Sequence, residues 1–574
     1  MAKKPKVLIA NRGEIAVRVI RTCRELGIQS VAVYSDVDRD ALHVEMADQA
    51  FRIGPAPASS SYLSIDALLE TAVRARATMV HPGYGFLSER AQFAQAVEDA
   101  GLIFVGPSAK AIETMGDKSA ARRAADAAGM PIVPGTPGPV DLRTAKKQAE
   151  RIGFPLLVKA SFGGGGKGMH VVRDTAHLEE SLKRAAREAQ SYFGRPEVFL
   201  ERYVDRAHHV EAQVIADTHG NVYFLGERDC SVQRRHQKLI EETPSPVMTD
   251  ELRGRFAEAA IALTREAGYV NAGTIECIVD EDGDFFFLEM NTRLQVEHTV
   301  TEMVTGLDLV ALQLQVAMGE RLDLDPAPRG HAIQCRINAE DPGRNFLPGP
   351  GRVTRFDPPG GPFVRTDAGV TEGREVPGDY DSMFAKLIVA GPDRETARRR
   401  MLRALDEFHV EGVPTTIPVH RWILESKAFR DGSHTTNWLE RALADATLPA
   451  QTDLQPAASS REGLPADILV EVDGHRVPVR IFDERREVAP RPPASPGGHH
   501  SEHVHGEIRA PMQGTILKVL VEKGQEIRAG EVVCILEAMK MENHIASTRD
   551  GEVTEVPIRV GQVVETGQTL AVID

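Results

Sequence analysis

The sequence predicts several domains in series: an α/β unit first, an α+β unit and a mixed α/β unit after it, then a linker and a small all-β domain. Length is the first reason, because 574 residues exceed a single hydrophobic core. The second is the succession of apolar strand, amphipathic helix and apolar strand over residues 7–34, the opening of a parallel α/β sheet. The third is a repeat near the C terminus, where Gly514, Gly524 and Gly530 recur at one constant offset as Gly551, Gly561 and Gly567. Ile516, Val519 and Val521 recur in the same way as Val553, Val556 and Ile558, with the period of two that half-buried strands require. Two similar β halves closing a small sandwich are therefore expected. The domains read as 1–115, 116–335 and 336–445, a linker over 446–505, and 506–574.

In chain order, residues 7–10 read as a buried strand, and Asn11 to Glu14 as a turn into a helix with Ile15, Val19, Cys23 and Leu26 on its inner side. No Gly-x-Gly-x-x-Gly follows that strand, which counts against a dinucleotide site. Residues 80–89 form a glycine-punctuated loop after a further strand, a position where such sheets bind ligands, or else a plain turn. Lys118 opens a helix rich in alanine and arginine. Residues 156–159 form a short strand ending in Lys159, followed at once by Gly163, Gly164, Gly165, Gly166, Lys167 and Gly168. Consecutive glycines lose much backbone entropy on folding, and their use is to let N–H groups approach an anion closely. The spacing is not that of a P-loop, because Gly168 runs on into a strand. A glycine-rich hairpin over phosphates is predicted.

Arg234, Arg235, His236 and Lys238 then gather in a chain that is acidic overall. Glu276 and Glu289 follow on apolar, strand-like segments, where a carboxylate is costly to bury without a cation. With Asn291 they offer the hard oxygen ligands that Mg²⁺ takes when it bridges phosphates. Glu289, Asn291, Arg293, Gln295 and Glu297 alternate, so an extended segment would turn all five to one side. Beyond Pro342 the chain is rich in Pro and Gly with short strands up to 380–388, and helices are expected over 394–408 and 417–426. Pro, Ala, Gly and Ser then mark the linker. Within it a hairpin is predicted around Asp473 and Gly474, with Pro478 confining the second strand to an edge. His499, His500, His503 and His505 lie in the same solvated linker, without a scaffold for a metal.

The apolar share of 42% and charged share of 26% are those of a globular protein in water. A net charge of −15 argues against a nucleic-acid partner, so any phosphate site must be a local basic cluster. Cys23, Cys230, Cys277, Cys335 and Cys534 form no Cys-x-x-Cys pair, which predicts reduced thiols. Lys3, Lys4 and Lys6 precede too short an apolar run for a signal peptide, and no apolar stretch is long enough to cross a bilayer. A cytoplasmic chain with no membrane association is the expectation.

Lys540 falls in the connection between the two β halves, flanked by Met539 and Met541 where a solvated turn would carry Gly, Asn or Asp. Glu537-Ala538-Met539-Lys540-Met541 resembles the attachment sequence of biotinyl domains; lipoyl domains share the fold but typically lack the methionine pair. Lys118, Lys159, the glycine run, Glu276, Glu289 and Asn291 resemble an ATP-grasp enzyme. More narrowly, His81-Pro82-Gly83-Tyr84, residues 228–238, residues 289–298 and residues 335–342 look like biotin carboxylase, over about residues 5–445.

The resemblance implies an α/β N-terminal carboxylase domain, an α+β ATP-grasp domain, a mixed α/β C-terminal carboxylase domain and a flattened-barrel biotinyl domain. It implies that ATP and bicarbonate form carboxyphosphate and that the carboxyl group passes to N1 of biotin held covalently on Lys540. Lys118, Lys159, the glycines 163–166 and 168, His209, Gln233 and His236 would bind ATP, with Glu201 and Val204 near the adenine. Glu276 and Glu289, with Asn291 close by, would hold Mg²⁺ or Mn²⁺. Lys238, Arg293, Gln295 and the Val296 backbone would bind bicarbonate, Glu297 would remove its proton, and Arg336 would stabilise the biotin enolate beside Tyr84. The implied partners are a biotin protein ligase and a separate carboxyltransferase β subunit that carboxylates an acyl-CoA such as acetyl-CoA or propionyl-CoA. A homo-oligomer within a hetero-oligomeric complex is implied as well, and the hairpin within 466–483 is expected to dock the β subunit. Two other readings stay open: a biotin-bearing scaffold without activity, and an ATP-grasp ligase for another substrate.

Overall fold

The first strand, β1 (Lys6–Ile9), is buried on both faces and lies at the centre of a fully parallel sheet. With β2 (Gln29–Ser35), β3 (Gln49–Gly54), β4 (Met79–His81) and β5 (Ile103–Phe104), the order is β3-β2-β1-β4-β5. Helix α1 (Gly13–Glu25) connects β1 to β2 and buries Ile15, Val19 and Cys23. Leu26 departs from the expected stripe: it is the C-cap residue, 40% exposed, because Gly27 turns left-handed (φ +68°) and ends the helix there. The strand order reverses between β1 and β4, so the loops after these two strands open onto one crevice. Asn11 ties them together by donating from Nδ2 to the carbonyls of Pro82 (2.8 Å) and Tyr84 (2.7 Å). Gly83 sits at φ +62°, and a Cβ there would stand 2.9 Å from Asn11 Nδ2, so this loop requires glycine.

The computed structural model describes residues 5–574 apart from 137, 161–168, 194, 445, 447, 449–466, 473–474, 481–505, 512–513, 539–540, 548 and 566. Lys540, the glycines 163–166 and 168, Asp473 and Gly474 and the four linker histidines therefore lie outside the described residues.

A small antiparallel sheet follows, in the order β7-β6-β8, from β6 (Leu156–Ala160), β7 (His170–Val172) and β8 (Val198–Arg202). Leu156, Val158, Val172 and Leu200 pack it against helices Leu142–Ile152 and Leu178–Phe193. The large sheet has eight antiparallel strands. They are β9 (His208–Ala216), β10 (Val222–Arg234), β11 (Gln237–Thr243), β12 (Asn271–Val279), β13 (Phe285–Asn291) and β14 (His331–Asn338), with Met383–Gly391 and Val364–Ala368. The order is β13-β12-β9-β10-β11-β14, then Met383–Gly391 and Val364–Ala368. β14 runs through position 335/336, so the sequence stretches read as second and third domains share this one sheet.

At the C-terminal end, two four-stranded sheets enclose Ile516, Leu536, Val553 and Leu570, and the repeats are exchanged at the edges: Glu526–Ile527 of the first repeat joins the sheet of Gly551–Glu555 and Thr569–Ile573, and Val563–Val564 of the second joins that of Gly514–Val519 and Val532–Ala538. Strands Val532–Ala538 and Met541–Ala546 pair as a hairpin whose connection contains Lys540. Strands Asp467–Val472 and His475–Arg480 form the linker hairpin, with Pro478 opposite Leu469; in a two-stranded sheet both strands are edges, which Pro tolerates. All five cysteines are buried free thiols. Among the described residues no single helix is long and apolar enough to cross a membrane.

Candidate active site

A cleft of about 1020 Å³ opens between the parallel sheet, the small sheet and the large sheet. Every described residue of the expected site lines it. Tyr84 enters from the loop after β4, Lys118 from the start of its helix (Lys118–Ala127), Lys159 from β6 and Glu201 from β8, with Val204 just beyond. The large sheet contributes His209, Gln233, Lys238, Glu276, Glu289, Asn291 and Arg336, and His236 stands in the turn between β10 and β11. Arg293, Gln295, Val296 and Glu297 complete the wall.

Sheet register explains the charge arrangement. Arg228, Glu211, Glu276 and Glu289 are successive cross-strand partners on β10, β9, β12 and β13, which places four charged side chains in one row on one face. Three carboxylates meet on Lys238, whose Nζ donates to Glu211 Oε2 (2.7 Å), Glu276 Oε1 (2.9 Å) and Glu297 Oε1 (2.7 Å). Arg228 is wholly buried and donates to Glu211 Oε1 (2.6 Å), Gln213 Oε1 (2.6 Å), Thr301 Oγ1 (3.0 Å), Thr274 Oγ1 (3.2 Å) and Gln295 Oε1 (2.9 Å). Gln295 Nε2 in turn donates to Glu276 Oε1 (2.8 Å). The cations thus neutralise a row that burial alone would protonate.

Glu297 occupies the pivotal position. Its second oxygen accepts from Arg336 Nη2 (2.9 Å), whose Nε donates to Glu241 Oε1 (2.5 Å). Burial would raise Glu297, but Lys238, Arg336 and Arg228 hold its carboxyl well below the usual range. Burial would likewise raise Glu276, and Lys238 and His209 hold it down. Glu289 goes the other way, raised by burial and by the charge of Glu276, with Lys118 opposing. Lys118 itself is lowered by burial.

The alternation from Glu289 to Glu297 brings all five residues to the cleft, though not along one strand. β13 stops at Asn291, the Thr292 N–H is taken by Glu89 Oε1 (3.3 Å), and Glu297 is the N-cap of helix His298–Thr305. Each residue of this loop is anchored separately. Arg293 Nε lies 3.0 Å from Glu89 Oε2 and its Nη2 donates to Asn291 Oδ1 (2.8 Å), while the Val296 carbonyl accepts from Lys386 Nζ (3.1 Å).

Glu211, Arg228, Glu241, Glu89 and Lys386 were not among the expected site residues. Glu211 carried the same signal as Glu276, an acid within an apolar strand, but only pairing shows that the two are opposite. Arg122, also unexpected, pairs with Glu201, which lies 2.5 Å from Lys159 Nζ.

The donor set fits a hard divalent cation. Glu276 and Glu289 face each other across adjacent strands, Glu289 is raised by burial and then by the charge of Glu276, and Asn291 Nδ2 is buried without a hydrogen-bond partner among the described residues.

Comparison with known proteins matches four families along the chain. They are "Biotin carboxylase, N-terminal domain" over residues 3–112, "Carbamoyl-phosphate synthase L chain, ATP binding domain" over 117–325, "Biotin carboxylase C-terminal domain" over 334–441 and "Biotin-requiring enzyme" over 506–573. The chain is 48% identical to the biotin-dependent acyl-coenzyme A carboxylase alpha3 subunit of Mycobacterium leprae, covering 99% of this chain and 98% of that protein. It is 51% identical to biotin carboxylase of Haemophilus influenzae, over 76% of this chain and 98% of the relative. Among solved structures, biotin carboxylase of Campylobacter jejuni in complex with β-γ-ATP superposes with a TM-score of 0.73 at 44% identity, covering 76% of this chain and 98% of that one. The biotin carboxylase domain dimer of 2-oxoglutarate carboxylase from Hydrogenobacter thermophilus, with MgADP, ADP and bicarbonate, gives 0.73 at 46% identity over 77% and 99%.

Proposed function

The chain belongs to the biotin carboxylase family, and from that premise we propose that its cleft carboxylates biotin with bicarbonate in an ATP-dependent reaction, as the α subunit of an acyl-CoA carboxylase. The observation that carries this reading is the junction at Lys238: one buried ammonium holds Glu211, Glu276 and Glu297 together at the cleft wall, and Glu297 is shared with Arg336. A carboxylate kept ionised is in the form that can take the proton of bicarbonate, and because the same cations weaken it as a base, the donors beside it must make bound bicarbonate more acidic for the transfer to proceed.

In this reading Lys118, Lys159, His209, Gln233 and His236 bind the phosphates and ribose, the glycines 163–166 and 168 cover them, and Glu201 and Val204 border the adenine. Glu276 and Glu289, with Asn291, hold Mg²⁺ or Mn²⁺, which when bound neutralises charge developing in phosphoryl transfer. Arg293, Gln295, the Val296 backbone and Lys238 bind bicarbonate, and Glu297 deprotonates it for attack on the γ-phosphate to give carboxyphosphate. Arg336 steadies the negative charge of the biotin ureido group, with Tyr84 alongside.

The carrier domain bears biotin on Lys540, attached by a biotin protein ligase, and delivers the carboxyl group to a carboxyltransferase β subunit. Acetyl-CoA or propionyl-CoA is the acceptor there. The hairpin Asp467–Val472/His475–Arg480 docks that subunit, the chain forms a homo-oligomer within the complex, and the setting is the cytoplasm. The decisive experiment coexpresses the full chain with a biotin protein ligase and follows radiolabelled bicarbonate. One biotin by intact mass, and ATP-dependent label on the chain, are expected, both lost in Lys540→Ala. Biotin or label persisting in that variant would overturn the carrier assignment.

A further inference from the structure

We infer that Lys386, stapled to Glu14, is a positioning residue that turns the backbone N–H groups of Val296 and Glu297 toward the bicarbonate site. The inference deepens the reading above and rests on its placement of bicarbonate at Arg293, Gln295 and Val296.

Lys386 lies in the strand Met383–Gly391, is wholly buried, and is the cross-strand partner of Arg336 on one side and Asp367 on the other. Its Nζ donates to the Val296 carbonyl (3.1 Å), lies 3.1 Å from Glu14 Oε2 and stands 5.8 Å from the centre of the Tyr84 ring. Glu14 belongs to the first turn of α1 and is itself buried, 3% exposed. Its backbone is fixed as well, since a Cβ on Gly369 would stand 2.5 Å from Glu14 N. One ammonium therefore joins helix α1, the Met383–Gly391 strand and the loop leading to Glu297.

Peptide planarity supplies the consequence. The carbonyl of each trans peptide unit points opposite to its own N–H. The Gln295 carbonyl is engaged by the His298 ring (Nδ1, 2.7 Å), and the Val296 carbonyl is engaged by Lys386. Both carbonyls flanking Val296 are thus turned toward fixed partners, and the N–H groups of Val296 and Glu297 are turned away from them. Neither N–H group donates to another backbone group among the described residues, and Val296 and Glu297 line the cleft, so both are free to donate to an anion there. An ion pair for stability alone does not require the third contact, because a buried pair adds little over apolar residues of similar volume.

The test uses the full biotinylated chain and bicarbonate-dependent ATP cleavage. Lys386→Met alone leaves Glu14 buried and unpaired, so the decisive variant is Glu14→Gln/Lys386→Met, which removes both charges. Its thermal midpoint should return to within a few degrees of wild type, while KM for bicarbonate stays raised about tenfold or more and KM for ATP changes less than about threefold. Glu14→Gln alone, which keeps the ammonium on the Val296 carbonyl, should show the smaller change in KM for bicarbonate. Wild-type KM for bicarbonate in the double variant, or an equal rise in both KM values, would reduce Lys386 to a structural ion pair and overturn the inference. Arg293→Ala is measured alongside: unchanged KM for bicarbonate there would remove the bicarbonate site itself, an outcome distinct from failure of the Lys386 variants.

Discussion

Replacing Glu297 with glutamine changes the reacting group while keeping its shape. The native carboxylate accepts from Lys238 (2.7 Å) on one oxygen and from Arg336 (2.9 Å) on the other. The amide offers one acceptor oxygen, turns an N–H₂ group toward a cation and has no basicity. Loss of a positioned base typically lowers a rate about 10²–10⁴-fold, roughly 3–5 kcal/mol in the barrier. Glu297→Gln should therefore lower kcat for bicarbonate-dependent ATP cleavage about 10²–10⁴-fold, with KM for ATP within about threefold, because no atom of Glu297 enters the expected nucleotide contacts. A coupled ADP assay with free biotin, with and without bicarbonate, measures this. The pH profile gives a second check. Lys238, Arg336 and Arg228 depress the folded carboxyl well below its unfolded value, so Glu297 is ionised throughout the neutral range. Its contribution to stability is present above the unfolded value, about 4.3, and lost only as pH falls through the depressed folded one. An acid limb near neutrality must then belong to another group. Retention of more than about a tenth of the bicarbonate-dependent rate would refute the assignment of Glu297 as base, whereas an acid limb near neutrality that disappears in Glu297→Gln would refute the depression of its carboxyl by Lys238, Arg336 and Arg228.

Glu289→Gln should raise the Mg²⁺ concentration for half-maximal ATP cleavage by roughly 10–100-fold. In the wild type, that concentration should fall as pH rises above the ordinary carboxylate range, because burial and Glu276 raise the carboxyl that must ionise to hold the cation; a series of Mg²⁺ titrations against pH checks the sign. His434 lies 3.8 Å from both Asp229 and Glu242 in the interior, and these acids raise it against the lowering effect of burial, with Arg394, His208 and Phe429 also facing the ring. Its stabilising charge is fully present below its unfolded value, about 6.5, and is lost as pH rises through the folded one. The thermal midpoint should therefore fall across that window in the wild type, and His434→Phe should remove that slope; an unchanged slope in the variant would show that the charge on His434 is not responsible.

How much of this was legible follows from where charge stands in an apolar strand. Glu276 and Glu289 could be read because a buried carboxylate needs a cation, and the fold answers with Lys238 on Glu276 and the charge of Lys118 near Glu289. The one-sidedness of residues 289–297 was legible as well, but its cause was not: Glu89 takes over the Thr292 N–H where β13 ends, a contact between residues far apart in sequence. Lys386 and Glu211 escaped because a lone charge in a strand does not announce its partner, and only register puts Glu211 opposite Glu276 and Lys386 beside Arg336.

The same sheet shows why buried charge alone does not mark a site. Neighbours in a strand point to opposite faces. Arg228 and Glu241 face the cleft side, where Arg228 meets Glu211 and Glu241 meets Arg336, whereas Asp229 and Glu242 point away. There they accept from Ser245 (2.8 Å) and from Arg394 (2.7 and 2.8 Å), and Glu242 also meets His331 (2.7 Å). Both faces are therefore charged, buried and hydrogen-bonded, and each holds an acid below the usual range against the penalty of burial, Glu297 on one and Glu242 on the other, although burial still raises Glu289 and Glu241 on the near face. They differ in what closes them. On the far face each acid is covered by residues such as His434 and Phe429, so its charge can contribute to cohesion only. On the near face Glu297, Lys238 and Arg336 share their hydrogen bonds at the wall of an open cleft, where a reactant can replace one of those partners without exposing another group unpaired. Two adjacent residues in one strand, Arg228 and Asp229, thus support different regions, because the sheet's pleat sends Arg228 to the carboxylate row behind the cleft wall and Asp229 into the opposite interior.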